Sequence, residues 1–215
     1  MKNPMKLIRF CLFFLAIVLA KSDTLCAHPG KLSAEDRDIF SRANVYFKNI
    51  ETFKGNFIQT NEFDQNIADG ILYISRPNKF RFEYFSPIQT LIVGDGKTVS
   101  HYDMDLDEVS IVPASIIPMA FLMEKQRGLE NMNVNKINIA RSGSEYIIAT
   151  EVTEGDNVYR IEYIFDRHIK TLYGINIYID ENQRIFLTLT ETRINLKLNS
   201  SLFVFKNPRL HSKRK

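Results

Sequence analysis

Residues 70–112, GILYISRPNKFRFEYFSPIQTLIVGDGKTVSHYDMDLDEVSIV, alternate apolar and polar side chains in short runs broken at Arg76-Pro77, Ser86-Pro87 and Asp95-Gly96. A period of two with turn residues at every break predicts an antiparallel meander. The first run carries Leu72 and Ile74 on one side and Ile71 and Tyr73 on the other. The next sets Phe80, Phe82 and Tyr84 against Arg81, Glu83 and Phe85. So much large apolar side chain leaves two arrangements open, a closed core or a sheet curved around a hydrophobic ligand, and periodicity does not separate them.

The same period runs from Lys54 almost to the end. It predicts strands at 55–63, 67–75, 79–85, 90–93, 98–103 and 108–112, then at 134–141, 146–152, 158–165, 172–179 and 184–198, with a last short strand at 203–205. The connections carry their own turn chemistry, such as Ser142-Gly143-Ser144 and Asp180-Glu181-Asn182. Hairpin-linked strands in this number mean one large curved sheet or barrel. Before them, Ser33 is the expected N-cap, Glu35 and Asp36 stand in the first turn, and Ile39, Ala43, Phe47 and Ile50 form one stripe with Phe40 and Tyr46 beside it. That helix must cover a face of the sheet. Residues 114–127, ASIIPMAFLMEKQR, lack alternation and predict a second short helix with Pro118 near its first turn. Its methionines re-pack easily, so it would serve either as a plug of core or as a cover that exchanges its contacts for those of a lipid.

Lys2, Lys6 and Arg9 precede an apolar run, residues 10–20, too short to span a bilayer. Residues 1–22 are therefore expected to be a signal peptide, cut after Ser22 with Ala27 as the alternative, and residues 23–215 a single domain. The leader holds four of the 28 bases and none of the 25 acids, so 24 bases against 25 acids leave a net charge of −1. Nothing in that balance calls for nucleic acid. Cys11 lies in the leader, which leaves Cys26 without an internal partner, so the fold rests on its core. Lys206, Arg209, Lys213, Arg214 and Lys215 make a basic stretch that reads as a solvated end.

Catalytic motifs fail on inspection. Gly94-Asp95-Gly96-Lys97-Thr98 contains the last three residues of a phosphate-binding loop, but Leu91 stands where its first glycine belongs and no helix follows. Asp103, Asp105 and Asp107 imitate a calcium loop, but Glu108 replaces its glycine and Ala114 its final glutamate. The histidines, His28, His101, His168 and His211, have no metal-ligand spacing.

The ordered set Gly55-x-Phe57-x-Gln59, Gly70-x-Leu72, Arg76-Pro77, Phe80-Arg81-Phe82, Pro87, Asp95-Gly96-Lys97, Tyr102-Asp103 and Glu108-Val109 resembles the LolA family of periplasmic outer-membrane lipoprotein carriers. The resemblance implies a mainly β (α+β) fold: an incomplete, unclosed antiparallel β-barrel of about eleven strands with a helical lid over a hydrophobic cavity. It implies a periplasmic monomer that performs no covalent chemistry, needs no cofactor and binds no nucleic acid. Its cargo would be acylated lipoproteins, its donor an inner-membrane LolCDE-type ABC transporter, and its acceptor a LolB-like outer-membrane protein or none. By the same resemblance Arg76 latches the lid, Phe80 lies near the cavity mouth, and Pro118, Met119, Phe121, Leu122 and Met123 belong to the lid; Phe57, Leu72, Ile74, Phe82 and Tyr84 are the further candidates for the cavity or its mouth. The same sheet would also suit a lipid-sensing or protein-binding scaffold, or a carrier of another lipid.

Overall fold

Ser33 starts helix α1, Ala34–Lys48, with a reciprocal cap. Its hydroxyl accepts the Asp36 N–H at 3.0 Å, and the Asp36 carboxylate accepts the Ser33 N–H at 3.3 Å. Two donors that a helix start leaves open are thereby satisfied, and the Ser33 hydroxyl is the first cause holding the Asp36 carboxyl below the usual carboxylate range. The predicted stripe is the buried one: Ile39, Ala43, Tyr46 and Phe47, then Ile50 just beyond the helix. The computed structural model describes residues 32–61, 67–85, 87–114, 128–131, 134–154, 157–179 and 183–207. The expected signal peptide, the bulk of the predicted helix at 114–127 with all five lid residues, and the basic stretch past Asn207 lie outside the described residues.

Among the described residues, eleven strands follow α1: β1 Thr52–Asn61, β2 Ile67–Ser75, β3 Lys79–Tyr84, β4 Thr90–Asp95, β5 Thr98–Asp103, β6 Glu108–Pro113, β7 Val134–Ser142, β8 Glu145–Glu154, β9 Asn157–Asp166, β10 Leu172–Tyr178 and β11 Arg184–Ile194. All pairings are antiparallel, in the order β6-β5-β4-β3-β2-β1-β11-β10-β9-β8-β7. Two consecutive meanders are thus joined at one seam, β1 against β11, and β6 and β7 remain as edges. The barrel is not closed. Alternation sends one face of every strand into a common core with α1. Tyr46 meets Phe165 edge-on at 5.1 Å and Phe47 meets Tyr163 at 5.0 Å, so the helix lies over the inner face of the second meander. Burial there pushes the Tyr46 hydroxyl up to about 12.

Two glycines let the first meander pack as tightly as it does. Gly70 stands in register between Phe57 and Tyr84, whose rings meet across it at 5.0 Å. A Cβ there would collide with the Glu83 carbonyl and lie 2.9 Å from the Phe57 ring. Gly94 faces Phe80 in the register, and a Cβ would run into that ring. Gly94→Ala is therefore expected to destabilise the chain by about 1–3 kcal/mol, the usual cost of overpacking. A lowered urea midpoint with an unchanged slope would report it, and an unchanged midpoint would mean that Phe80 turns aside freely.

The end of the chain departs from expectation. β11 stops at Ile194 instead of 198 because Asn195 takes a positive φ of 58° and turns the chain. Asn195 then ties three places together: its Oδ1 accepts the Glu51 N–H at 2.8 Å, its Nδ2 donates to the Asn49 carbonyl at 2.9 Å, and its backbone N–H donates to the Thr52 carbonyl at 2.8 Å. The strand predicted at 203–205 is instead a 3-10 helix, Ser200–Phe203, started by the Asn199 side chain accepting the Ser201 N–H. It crosses the outer face over β3 and β4. Arg81 donates to the Leu202 carbonyl, and Phe203 and Val93 are buried apart from the main core. An apolar alternation so short is satisfied as well by a small core on the outer face as by a strand.

Candidate functional site

A cavity opens where the end of α1 meets the seam. Its walls are Phe47 and Ile50 from the helix end, Phe53, Leu72 and Ile74 from β1 and β2, and Leu172, Ile175 and Leu189 from β10 and β11. Among the described residues the one charged member of the lining is Arg76. The cavity volume is about 40 Å³, room for a water or two and far too little for a hydrocarbon chain.

Arg76 follows β2 directly. Its backbone N–H donates to the Glu51 carbonyl at 2.8 Å, and its guanidinium Nη1 donates to the Phe47 carbonyl at 2.6 Å in the last turn of α1. A cation at the carbonyl end of a helix is favoured by the helix dipole as well as by the bond. Burial still draws the guanidinium below its ordinary value, though not far enough to discharge it. The side chain therefore fastens α1 to the sheet at the cavity wall. The bond is short and polar in otherwise apolar surroundings, yet both partners can turn to water if the helix lifts.

The other residues singled out from sequence divide into two groups. Leu72 and Ile74 line the cavity itself. Phe57, Phe80, Phe82 and Tyr84 form an aromatic cluster beside it, with Phe57 to Phe82 at 5.7 Å, Phe80 to Phe82 at 6.1 Å and Phe82 to Tyr84 stacked at 6.4 Å. Tyr84 donates its hydroxyl to Gln59 Oε1 at 2.8 Å, a buried polar pair on the same face. Sequence reasoning does not single out Phe47, Ile50, Phe53, Leu172, Ile175 and Leu189 as cavity residues. For Phe47 and Ile50 the helix stripe is a usable sign, but the strand residues look like any inner-face residue until the seam pairing is known.

The inner face continues past the cavity. Leu72, Phe82, Ile92 and His101 stand side by side across β2 to β5, with Phe82 and Ile92 only partly covered. Among the described residues no group of His, Cys, Asp and Glu could hold a metal ion. No described helix is long and apolar enough to cross a membrane.

A family model described as "Outer membrane lipoprotein carrier protein LolA" matches residues 48–206. An uncharacterized protein of Rickettsia prowazekii (strain Madrid E) is 28% identical over 189 residues, 87% of this chain and 85% of that one. An outer-membrane lipoprotein carrier protein of Nitrosospira multiformis is 28% identical over 212 residues, covering 93% of this chain and 94% of its own. Among solved structures, an uncharacterized conserved protein from Thermus thermophilus superposes with a TM-score of 0.51 at 10% identity, over 81% of this chain and 96% of that one, a likeness of fold alone.

Proposed function

The chain belongs to the LolA family of outer membrane lipoprotein carrier proteins, and from that premise we propose that it is a periplasmic carrier that shelters the acyl chains of lipoproteins. It takes them from an ABC transporter of the inner membrane and delivers them, as a monomer, to the outer membrane or to an acceptor there. The observation that carries this reading is the apolar wall between α1 and the sheet, interrupted by one arginine that bonds the helix. Each methylene kept from water is worth about 0.8 kcal/mol, so a multiply acylated protein does not cross an aqueous space unaided on a useful timescale. An inner face of Phe, Leu and Ile supplies the cover. The small volume of the cavity fits the empty, shut carrier, and loading requires α1 to swing away from the seam. Arg76 then acts as the latch of the shut form.

Mass spectrometry of the protein isolated from the periplasm of its own cells tests the reading. Acylated lipoproteins in one-to-one complexes, displaced by an apolar dye, are the expected result. Free lipid in their place would change the cargo, and a chain that carries nothing and takes up no dye would overturn the carrier reading.

A further inference from the structure

His101 is out of place on the inner face. It shares that face with Val99, which is in the main core, and it stands in register between Ile92 of β4 and Ser110 of β6. Its ring is half-buried, yet among the described residues no hydrogen bond or ion pair holds it. The nearby carboxylate on the same strand face, Asp103, is committed to its own turn, accepting the Asp105 and Leu106 N–H groups at 3.0 Å each. Burial draws the imidazole below its ordinary value, against the opposing pull of Asp103, so at neutral pH it is an uncharged ring with one N–H to donate.

A hydrocarbon laid across Phe82 and Ile92 would strip the water that serves this ring, and an unpaired polar group under a ligand costs affinity. A ligand that brings an acceptor to the same spot removes the cost. Three strand spacings separate His101 from Leu72 at the cavity, about 14 Å, so chains rooted at His101 run inward along the apolar row. His101 is also one strand from the β6 edge, where the rest of a large cargo leaves the sheet without crossing it.

We propose that His101 binds the acyl-ester carbonyl of a diacylglyceryl-cysteine head group, its ring N–H donating to that oxygen while the chains lie over Ile92, Phe82 and Leu72. This rests on the carrier reading and assigns the polar end of the cargo to β5. The test is equilibrium binding of the full chain to three probes: a dipalmitoyl ester-linked glycerylcysteine lipopeptide, its ether-linked twin, which lacks the carbonyls, and an apolar dye. His101→Leu is expected to weaken the ester lipopeptide by roughly three- to ten-fold, the range of one hydrogen bond, and to leave the ether twin and the dye as they were. His101→Gln, which keeps a donor, retains most of the affinity. Equal losses on ester and ether, or no loss, would overturn the proposal while leaving the carrier intact; failure of the unaltered chain to bind either lipopeptide would remove both. Should His101→Leu not fold, the unaltered chain must still prefer ester to ether, and no preference overturns the contact. A diester phosphatidylglycerol separates the sources. A dependence on His101 shared with the lipopeptide supports the ester contact, and a dependence on the phospholipid alone rejects the lipoprotein as its source.

Discussion

An Arg76→Leu chain is expected to take up lipopeptide and then keep it. The substitution removes the 2.6 Å bond to the Phe47 carbonyl that holds the end of α1 against the seam, and it puts an apolar side chain where a charged one lines the cavity. Both changes act in one direction. In the carrier cycle proposed above, the shut form would lose a charge-assisted hydrogen bond, of the class worth about 1.5–3 kcal/mol, and the loaded form would gain apolar contact. Every 1.4 kcal/mol is about a factor of ten in an equilibrium constant, so release to an acceptor or to empty vesicles is expected to slow by roughly ten- to a hundred-fold while loading persists. Release timed with a fluorescent lipopeptide measures it. Normal release would show that the bond to Phe47 does not govern closure, and loss of loading would show that Arg76 is needed for the fold. Arg76→Lys is the informative companion, because a single ammonium reaches one carbonyl where the guanidinium fork reaches several.

Phe80→Glu has the largest expected effect on stability. Phe80 is only 5% exposed and lies over Gly94, against Phe82. Losing the ring costs about 3–5 kcal/mol by itself, and burying a carboxylate without a partner adds to it. Since a domain of this kind is stable by about 5–15 kcal/mol in all, much of the chain is expected to be unfolded at 37 °C, as thermal circular dichroism would register. The fold admits the carboxyl only in its neutral form. Burial raises its folded-state pKa, so the charge-dependent part of the loss is absent below the unfolded value of about 4.3, grows as the pH rises toward the folded one and is complete above it. A stable, well-folded variant would mean that the aromatic cluster opens easily and that Phe80 belongs to a ligand-accessible mouth.

The alternation in residues 70–112 is enough to foresee β2 to β6 nearly residue for residue, because each run is bounded by turn chemistry at Arg76-Pro77 or Asp95-Gly96. The helix is equally legible, since Ser33, Asp36 and the stripe from Ile39 to Ile50 carry both a start signal and a face. What periodicity does not supply is which strand lies beside β1. The seam with β11 depends on pairings such as Phe57 with Leu189, and no local pattern encodes a partner so distant along the chain. The cavity sits on that seam, so half of its wall is hidden for the same reason. The turn at Asn195 escapes a sequence reading because an asparagine in a left-handed conformation looks like any other polar residue at a strand end. His101 passes as one of four scattered histidines until the register places it beside Ile92.

The clasp at Asn195 sets an order of events. Its bonds to Glu51 and to the Asn49 carbonyl span 144 and 146 residues, and β1 finds its second neighbour only in β11. A chain that emerges N-terminus first, from a ribosome or through a membrane channel, has β1 to β6 available early but must hold one side of β1 unpaired until nearly all of the sequence has appeared. Such distant pairings form slowly, and an open strand edge invites wrong partners in the interval. The interval before β11 appears is therefore the one in which this chain is open to mispairing along β1, and it ends when β11 covers that side.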